Sequence, residues 1–463
     1  MLYCITNKLN NLKKSISLIL TSIAILLCFI FLLNKYPLFW FDSNTYLSYT
    51  MTNEWHTYGS ILYPQLLRLV LYFQSPWIII LIQSIISSYV LLEFIKTYFN
   101  KYQGRIFIGF TFILCFSSYG IFTTTMMPDI FLGLGILSNY IILSQKIKVQ
   151  NILIYLIYIS CLIAHNGNMY IFLLINIIIG FLFVLKKDWV SMKSLGICFV
   201  LIFGTLFFVK PIVGSMYAND KRGDRNINFY CRQIHISSFN GYNSFKELLR
   251  IGCANGIESE VCKYNPTKND LEKLKQGNNL EADCKIIFLT ALSNLDFLKT
   301  FVKTKISNLK FLIVNFKNLR NSGSNIIVHN IIQKKIPSET FLPITQSLVN
   351  TNYDTFLNRL QVIVDVSWLL IRISYFLIFA SIFLIIFKKK MKNRVELFPS
   401  NRSAFLVFYI LLAILISLVF YTLFSNFTNF RYSIRLSWLI ILLASTLTLD
   451  FILKKWFSQN QLD

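Results

Sequence analysis

Ser17-Leu18-Ile19-Leu20-Thr21-Ser22-Ile23-Ala24-Ile25-Leu26-Leu27-Cys28-Phe29-Ile30-Phe31-Leu32-Leu33-Asn34 carries no charge, and the chain then runs into Phe41-Asp42-Ser43-Asn44-Thr45-Tyr46. An uncharged apolar run of about 20 residues matches the hydrocarbon thickness of a bilayer when helical. It lacks a small-residue cleavage site, so it reads as a signal anchor rather than a removable leader. A carboxylate, a hydroxyl and an amide follow it at the membrane edge. The same pattern of apolar run and polar edge recurs along the whole chain.

Composition supports that reading. About a quarter of a soluble domain is charged; here the share is 14%, with 55% hydrophobic residues, 16% aromatic residues and a mean hydropathy of +0.56. Apolar runs predict spans near 17–34, 77–97, 105–122, 128–145, 151–164, 169–185, 194–213, 364–387, 404–425 and 434–453. The expectation is an all-α polytopic membrane protein of about ten transmembrane helices. Residues 1–213 form a first membrane module, 214–363 a small extracytoplasmic domain, and 364–463 a second membrane module.

A net charge of +24 invites nucleic acid as a partner, but its distribution excludes that. Lys8, Lys13 and Lys14, then Lys96, Lys101 and Arg105, then Lys146 and Lys148, then Lys186, Lys187 and Lys193 fall in alternate segments. The pattern continues with Lys388, Lys389, Lys390, Lys392, Arg394 and Arg402, and ends at Lys454 and Lys455. Basic residues accumulate on the cytoplasmic side of short loops. The alternation places both termini in the cytoplasm and puts loops 35–76 and 123–127, the 165–168 turn, segment 214–363 and loop 426–433 outside.

Within the first outer loop, Pro64 to Phe73 is apolar on most faces but too short to span, which predicts a helix lying along the interface. In the long segment, a short helix is expected within Asn265–Gln276. Ser293–Leu319 is basic and amphipathic; it either lies on an anionic membrane surface or packs on the small domain. Cys28, Cys115, Cys161 and Cys198 sit in apolar runs and read as small buried hydrophobes. Cys231, Cys253, Cys262 and Cys284 share the outer segment, where two disulfides are plausible with three possible connectivities. Zinc is the rival reading, without a close Cys-x-x-Cys pair to support it.

The residues that can carry chemistry gather at the outer ends of spans. Asp42 shares its loop with Tyr46, Glu54, His56 and Arg68. Pro128 can start the fourth span with Asp129 in its first turn, where a carboxylate complements the helix dipole. If Asp42 and Asp129 converge, they can share a divalent cation, Mg or Mn, or divide base and orienting roles. His165 occupies an outer hairpin. Arg431 and Arg435, four apart, share one helix face. Burying Arg435 requires an anion, supplied by a protein carboxylate, a lipid headgroup or a substrate phosphate. Tyr46, Arg68, His165, Arg431 and Arg435 are therefore the candidate substrate- and phosphate-binding side chains. The sequence contains no Walker loop, dinucleotide fingerprint or nucleophile elbow.

In order and sidedness, Asp42-Ser43-Asn44-Thr45-Tyr46, Tyr63-Pro64, Pro128-Asp129-Ile130-Phe131-Leu132, the turn at His165 and Arg431-Tyr432 resemble the glycosyltransferase C superfamily. The likeness is strongest to bacterial members similar to dolichyl-phosphate-mannose protein mannosyltransferases and aminoarabinose transferases. It covers the first 213 residues best and the last 100 more loosely. The resemblance implies an enzyme of the bacterial plasma membrane. Such an enzyme moves a sugar, with inversion, from a polyprenyl-phosphate donor to a lipid, glycan or protein acceptor on the extracytoplasmic face. Asp42 matches the catalytic base, Asp129 a second acidic position that binds metal in some members, and Arg431 a place for carrier-phosphate arginines. Many relatives have an Asp-Glu pair where this chain has Asp42-Ser43. The chemistry is coherent: a carboxylate assists deprotonation of the acceptor hydroxyl, and a cation stabilises the departing lipid phosphate. The alternative class is a polysaccharide polymerase, flippase or transporter, which requires polar groups deep in several spans.

Overall fold

The apolar runs are helices in the computed structural model, which describes residues 2–33, 37–38, 43, 46, 50, 54–55, 60, 62–144, 152–165, 167–215, 219–220, 291, 295–317, 353–388, 401–424 and 431–459. In chain order they are α1 (Leu2–Leu33), α2 (Leu62–Phe73), α3 (Trp77–Tyr98), α4 (Gln103–Cys115), α5 (Ser118–Thr123), α6 (Ile130–Ser144), α7 (Ile152–Ala164) and α8 (Asn168–Leu185). There follow α9 (Trp189–Gly204), a π turn at Thr205–Val209, α10 (Lys210–Ser215), α11 (Leu295–Lys317), α12 (Tyr353–Lys388), α13 (Asn401–Phe424) and α14 (Arg431–Gln459). Two-residue strands, β1 (Glu54–Trp55) and β2 (Asn219–Asp220), pair in parallel and tie the first loop to the start of the long segment.

Among the described residues, seven helices are long and apolar enough to cross a membrane, within α1, α3, α8, α9–α10, α12, α13 and α14. Three shorter apolar helices, α4, α6 and α7, occupy the other expected positions. Their 13, 15 and 13 residues span only about 20–22 Å at 1.5 Å per residue. α6 is apolar all round and buried from Ile130 to Leu143, so it is the interior helix, enclosed by α3, α7 and α9. An interior helix need not match the bilayer thickness. The perimeter carries large apolar side chains instead, such as Phe376 at 73% and Phe208 at 69% exposure. Exposed aromatic faces on this scale fit a lipid environment and not water.

Helices in lipid gain little from apolar burial against one another, so small residues and polar pairs hold them together. Gly133 of α6 lets the Trp438 ring of α14 approach so closely that a Cβ there would lie 2.6 Å from it. Ser22 on α1 bonds Ser88 on α3 at 2.8 Å and Thr111 on α4 at 3.3 Å. Deep in the bundle Asn139 Nδ2 donates to Asn176 Oδ1 at 3.0 Å, Cys198 donates to Asn139 Oδ1 at 3.0 Å, and Asn176 donates to the Tyr158 hydroxyl at 3.4 Å.

Several expectations change. The predicted third span, 105–122, is broken between α4 and α5, because Ser117 adopts extended backbone and caps α5 by accepting from Tyr119 N. Ser at such a position competes for backbone donors and favours a new helix start. α6 opens at Ile130, so Asp129 precedes the helix and does not lie in its first turn. The apolar stretch expected at 364–387 lies inside a longer helix that begins at Tyr353. α2 starts two residues before Pro64, with Ser60 Oγ accepting from Tyr63 N, and leaves Tyr72 and Phe73 exposed. Within the Ser293–Leu319 stretch, Leu295–Lys317 is helical as α11 and packs on α13 and α14. Leu295, Val302 and Ile306 of α11 remain exposed. Cys115, Cys161 and Cys198 are buried as expected, whereas Cys28 is exposed. The helix expected within Asn265–Gln276 and the cysteines Cys231, Cys253, Cys262 and Cys284 lie outside the described residues.

Candidate functional site

The turn 122–129 is the hub on which the candidate residues meet. Leu38 pairs with it in a parallel bridge: Leu38 N donates to Thr124 O at 3.1 Å, and Met126 N donates to Leu38 O at 2.9 Å. Ser43 then donates its hydroxyl to Met126 O at 2.8 Å. From the other side Gln83 of α3 donates through Nε2 to the carbonyls of Phe122, Thr123 and Thr125 at 3.2, 3.1 and 3.0 Å. A turn with this many buried carbonyls needs such a donor, since an unmet buried carbonyl is costly.

Ser43, Tyr46 and Thr50 are helical and buried, at spacings of three and four residues that place them on one face. The Thr50 hydroxyl donates to Tyr46 O at 2.8 Å, one helical turn back. Asp42 itself, with Asn44, Thr45 and His56, lies outside the described residues. Tyr46 packs its ring edge-on against Tyr63 at 5.6 Å, and Tyr63 in turn meets Phe131 at 6.4 Å. The Tyr63 hydroxyl donates to Gln83 Oε1 at 2.7 Å. Burial first, then Tyr46 and Asp129, raise the Tyr63 pKa well above the usual tyrosine value. The phenol is a neutral donor at any physiological pH.

Asp129, at the end of the turn, accepts from Arg435 Nη1 at 2.8 Å. The two side chains are 2% and 1% exposed. Its place inside an apolar stretch requires an anion for Arg435, and the Asp129 carboxylate is one it has. The Arg435 guanidinium also lies over the Tyr421 ring, 4.1 Å from its centre. Tyr421 meets the His165 ring edge-on at 6.2 Å. His165 Nδ1 accepts from Gly167 N at 3.3 Å, a bond that turns the imidazole within its hairpin. Ser118 and Ser437 share a 2.8 Å hydrogen bond, and Trp438 N donates to Ser118, so α5 grips α14 two residues past Arg435.

Asp129, His165 and Arg435 are thus brought together with Tyr421, and Tyr46 stands on the neighbouring wall with Tyr63. Arg68 is partly exposed on α2. Arg431 opens α14 one turn before Arg435, but its side chain lies outside the described residues. Among the described residues no group of three or more His, Cys, Asp or Glu side chains is arranged to hold a metal ion.

Three contributors escaped the sequence reading. Tyr421 had a signal, an aromatic at the end of a span close in sequence to Arg431. Gln83 had one too, an amide inside an apolar run. Lys305 had only its place in a basic helix. It is buried, and its ammonium donates to Thr422 O and Leu423 O at 3.2 and 3.3 Å. These are carbonyls of the last turn of α13, at the negative end of its dipole. Lys305 therefore fixes the helix end that carries Tyr421. Burial lowers its pKa from 10.5 to about 8.

Compared with family models, with curated proteins and with solved structures, the chain matches none.

Proposed function

We propose that this protein is a membrane glycosyltransferase that uses a polyprenyl-phosphate-linked sugar on the extracytoplasmic face. One observation carries the reading: Leu38 and Ser43, which flank Asp42 in sequence, both bond to the turn that leads to Asp129. His165 and Arg435 meet at the same place through Tyr421. Residues from four separated parts of the sequence thereby form one polar centre at one end of the bundle. In this reading Asp42 is the general base for the acceptor hydroxyl. Arg431, one turn from the start of the cluster, holds the departing phosphate through its planar fork. Asp129 and Arg435, buried against each other, position that machinery, and a divalent Mg or Mn between Asp42 and Asp129 would add charge stabilisation.

The accompanying topology has about ten spans, with α4–α5, α6 and α7 completing the seven longer ones, interfacial α2, and both termini in the cytoplasm. It rests on the alternation of Lys and Arg between loops.

Transport of an intact glycolipid is the second reading, and the Asn139–Asn176–Cys198–Tyr158 cluster deep in the bundle is the observation in its favour. Those groups bond to one another, which is how helices are tied in lipid. The two readings separate in reconstituted vesicles given a panel of polyprenyl-phosphate hexoses and pentoses plus membrane extract as acceptor. The enzyme releases free polyprenyl phosphate in step with sugar transfer. Movement of intact donor across the bilayer without release would sink the proposal.

A further inference from the structure

A groove of about 630 Å³ runs between α4, α12 and α14. This is within the usual range for a small-ligand site. Its walls are apolar: Ile106, Gly109 and Phe110 face Leu449, Ile452 and Leu453. Ser445 and Thr448 are the hydroxyl-bearing members of the lining on α14. One end is cationic. Arg105 lies at the mouth, exposed and 5.9 Å from the Tyr102 ring centre, with Lys101 exposed beside it. The groove is separate from the Asp129–Arg435 centre. Its α14 residues lie 10 to 18 positions past Arg435, about 15–27 Å along the helix axis.

Ile452 at 52% and Ile108 at 38% exposure mark this as the perimeter of the bundle. A groove there opens to the bilayer, and what reaches it laterally is a lipid. An apolar channel ending in a guanidinium matches an acyl chain joined to a phosphate, which Arg engages through paired N–H donors. We infer that the groove seats one acyl chain of an anionic phospholipid of the surrounding bilayer, with Arg105 on its phosphate.

Gly109 supplies the decisive variant. A Cβ built there meets nothing within 4 Å, and its φ is not in the left-handed region. Gly109→Phe therefore starts its side chain from an open position in the groove lining, with the ring sized to occupy the groove, and it removes a poor helix former. Gly196 of α9 is equally open, so Gly196→Phe is the matched control. The full-length protein is reconstituted with phosphatidylglycerol or phosphatidylcholine carrying a diazirine in one chain, and the crosslinked peptides are mapped by mass spectrometry.

Wild type and Gly196→Phe are expected to label within 105–113 and 445–453, with phosphatidylglycerol favoured. Gly109→Phe loses that labelling. Arg105→Gln retains chain labelling but loses about tenfold of the headgroup preference, the scale of one charge-assisted hydrogen bond. Unchanged labelling in Gly109→Phe overturns the site. Equal labelling of wild type by the two lipids overturns the headgroup assignment. Displacement of phosphatidylglycerol by an equimolar polyprenyl phosphate overturns the choice of phospholipid. Should Gly109→Phe fail to fold, the Arg105→Gln comparison still decides the headgroup, and Gly109→Leu replaces it as the filling variant.

Discussion

Arg435 Nη1 donates to Asp129 Oδ1 across 2.8 Å, joining residues 306 positions apart with both side chains almost fully buried. Removing one partner leaves the other charge buried, at a typical cost of about 3–5 kcal/mol. Arg435→Leu and Asp129→Leu are each expected to lower the thermal midpoint in detergent strongly. The double variant, which removes both charges, is expected to recover much of the loss. A double variant as unstable as the sum of the two singles would show that the pair is not the relevant interaction.

Tyr63 and Gln83 form the second tie. Tyr63→Phe removes the donor to Gln83 Oε1, and a buried acceptor left unmet costs about 1–3 kcal/mol. Gln83→Leu acts further, because it strips the donor from three carbonyls of the turn 122–125. Hydrogen exchange at Met126, whose N–H bonds Leu38 O, is expected to quicken more in Gln83→Leu than in Tyr63→Phe. Equal protection in both variants contradicts the role given to Gln83.

Much of this was legible in the sequence and much was not, for physical reasons. Period and length mark helices, since an apolar run must satisfy its own backbone in lipid. Burial of Arg435 could be read from its place inside an apolar stretch, and with it the need for an anion. That the anion is Asp129 could not be read, because the pairing depends on how α6 and α14 lie against each other. The break at Ser117 had a signal in Ser117-Ser118, but the surrounding apolar residues masked it. Lys305 was the least legible. A lysine in an amphipathic helix reads as solvated until the helix end it meets is known.

Lys305 makes a pH prediction. Its folded pKa, about 8, is below the unfolded value of 10.5. Between these values the unfolded chain binds more protons, so the stability linked to this group rises with pH through that window. The difference in thermal midpoint between wild type and Lys305→Met is expected to move in favour of wild type from pH 8 towards pH 10. A difference that is flat or falls over that range contradicts the assignment.

Gly133 tests the packing against α14. A methyl group there would sit 2.6 Å from the Trp438 ring, and overpacking of this kind costs about 1–3 kcal/mol. Gly133→Ala is expected to lower the thermal midpoint and shift Trp438 fluorescence, while Gly133→Ala with Trp438→Phe regains part of the loss. No change in the single variant would contradict the contact.

In the proposed function Asp42 is the base of a sugar transfer from a polyprenyl-phosphate donor. It is tested by Asp42→Asn, an isosteric change, in vesicles holding equal amounts of folded protein and a radiolabelled polyprenyl-phosphate sugar that wild type turns over. General-base assistance contributes about 10²–10⁴-fold. The expected result is a loss of polyprenyl-phosphate release on that scale with an unchanged thermal midpoint. Release at the wild-type rate in Asp42→Asn would contradict it.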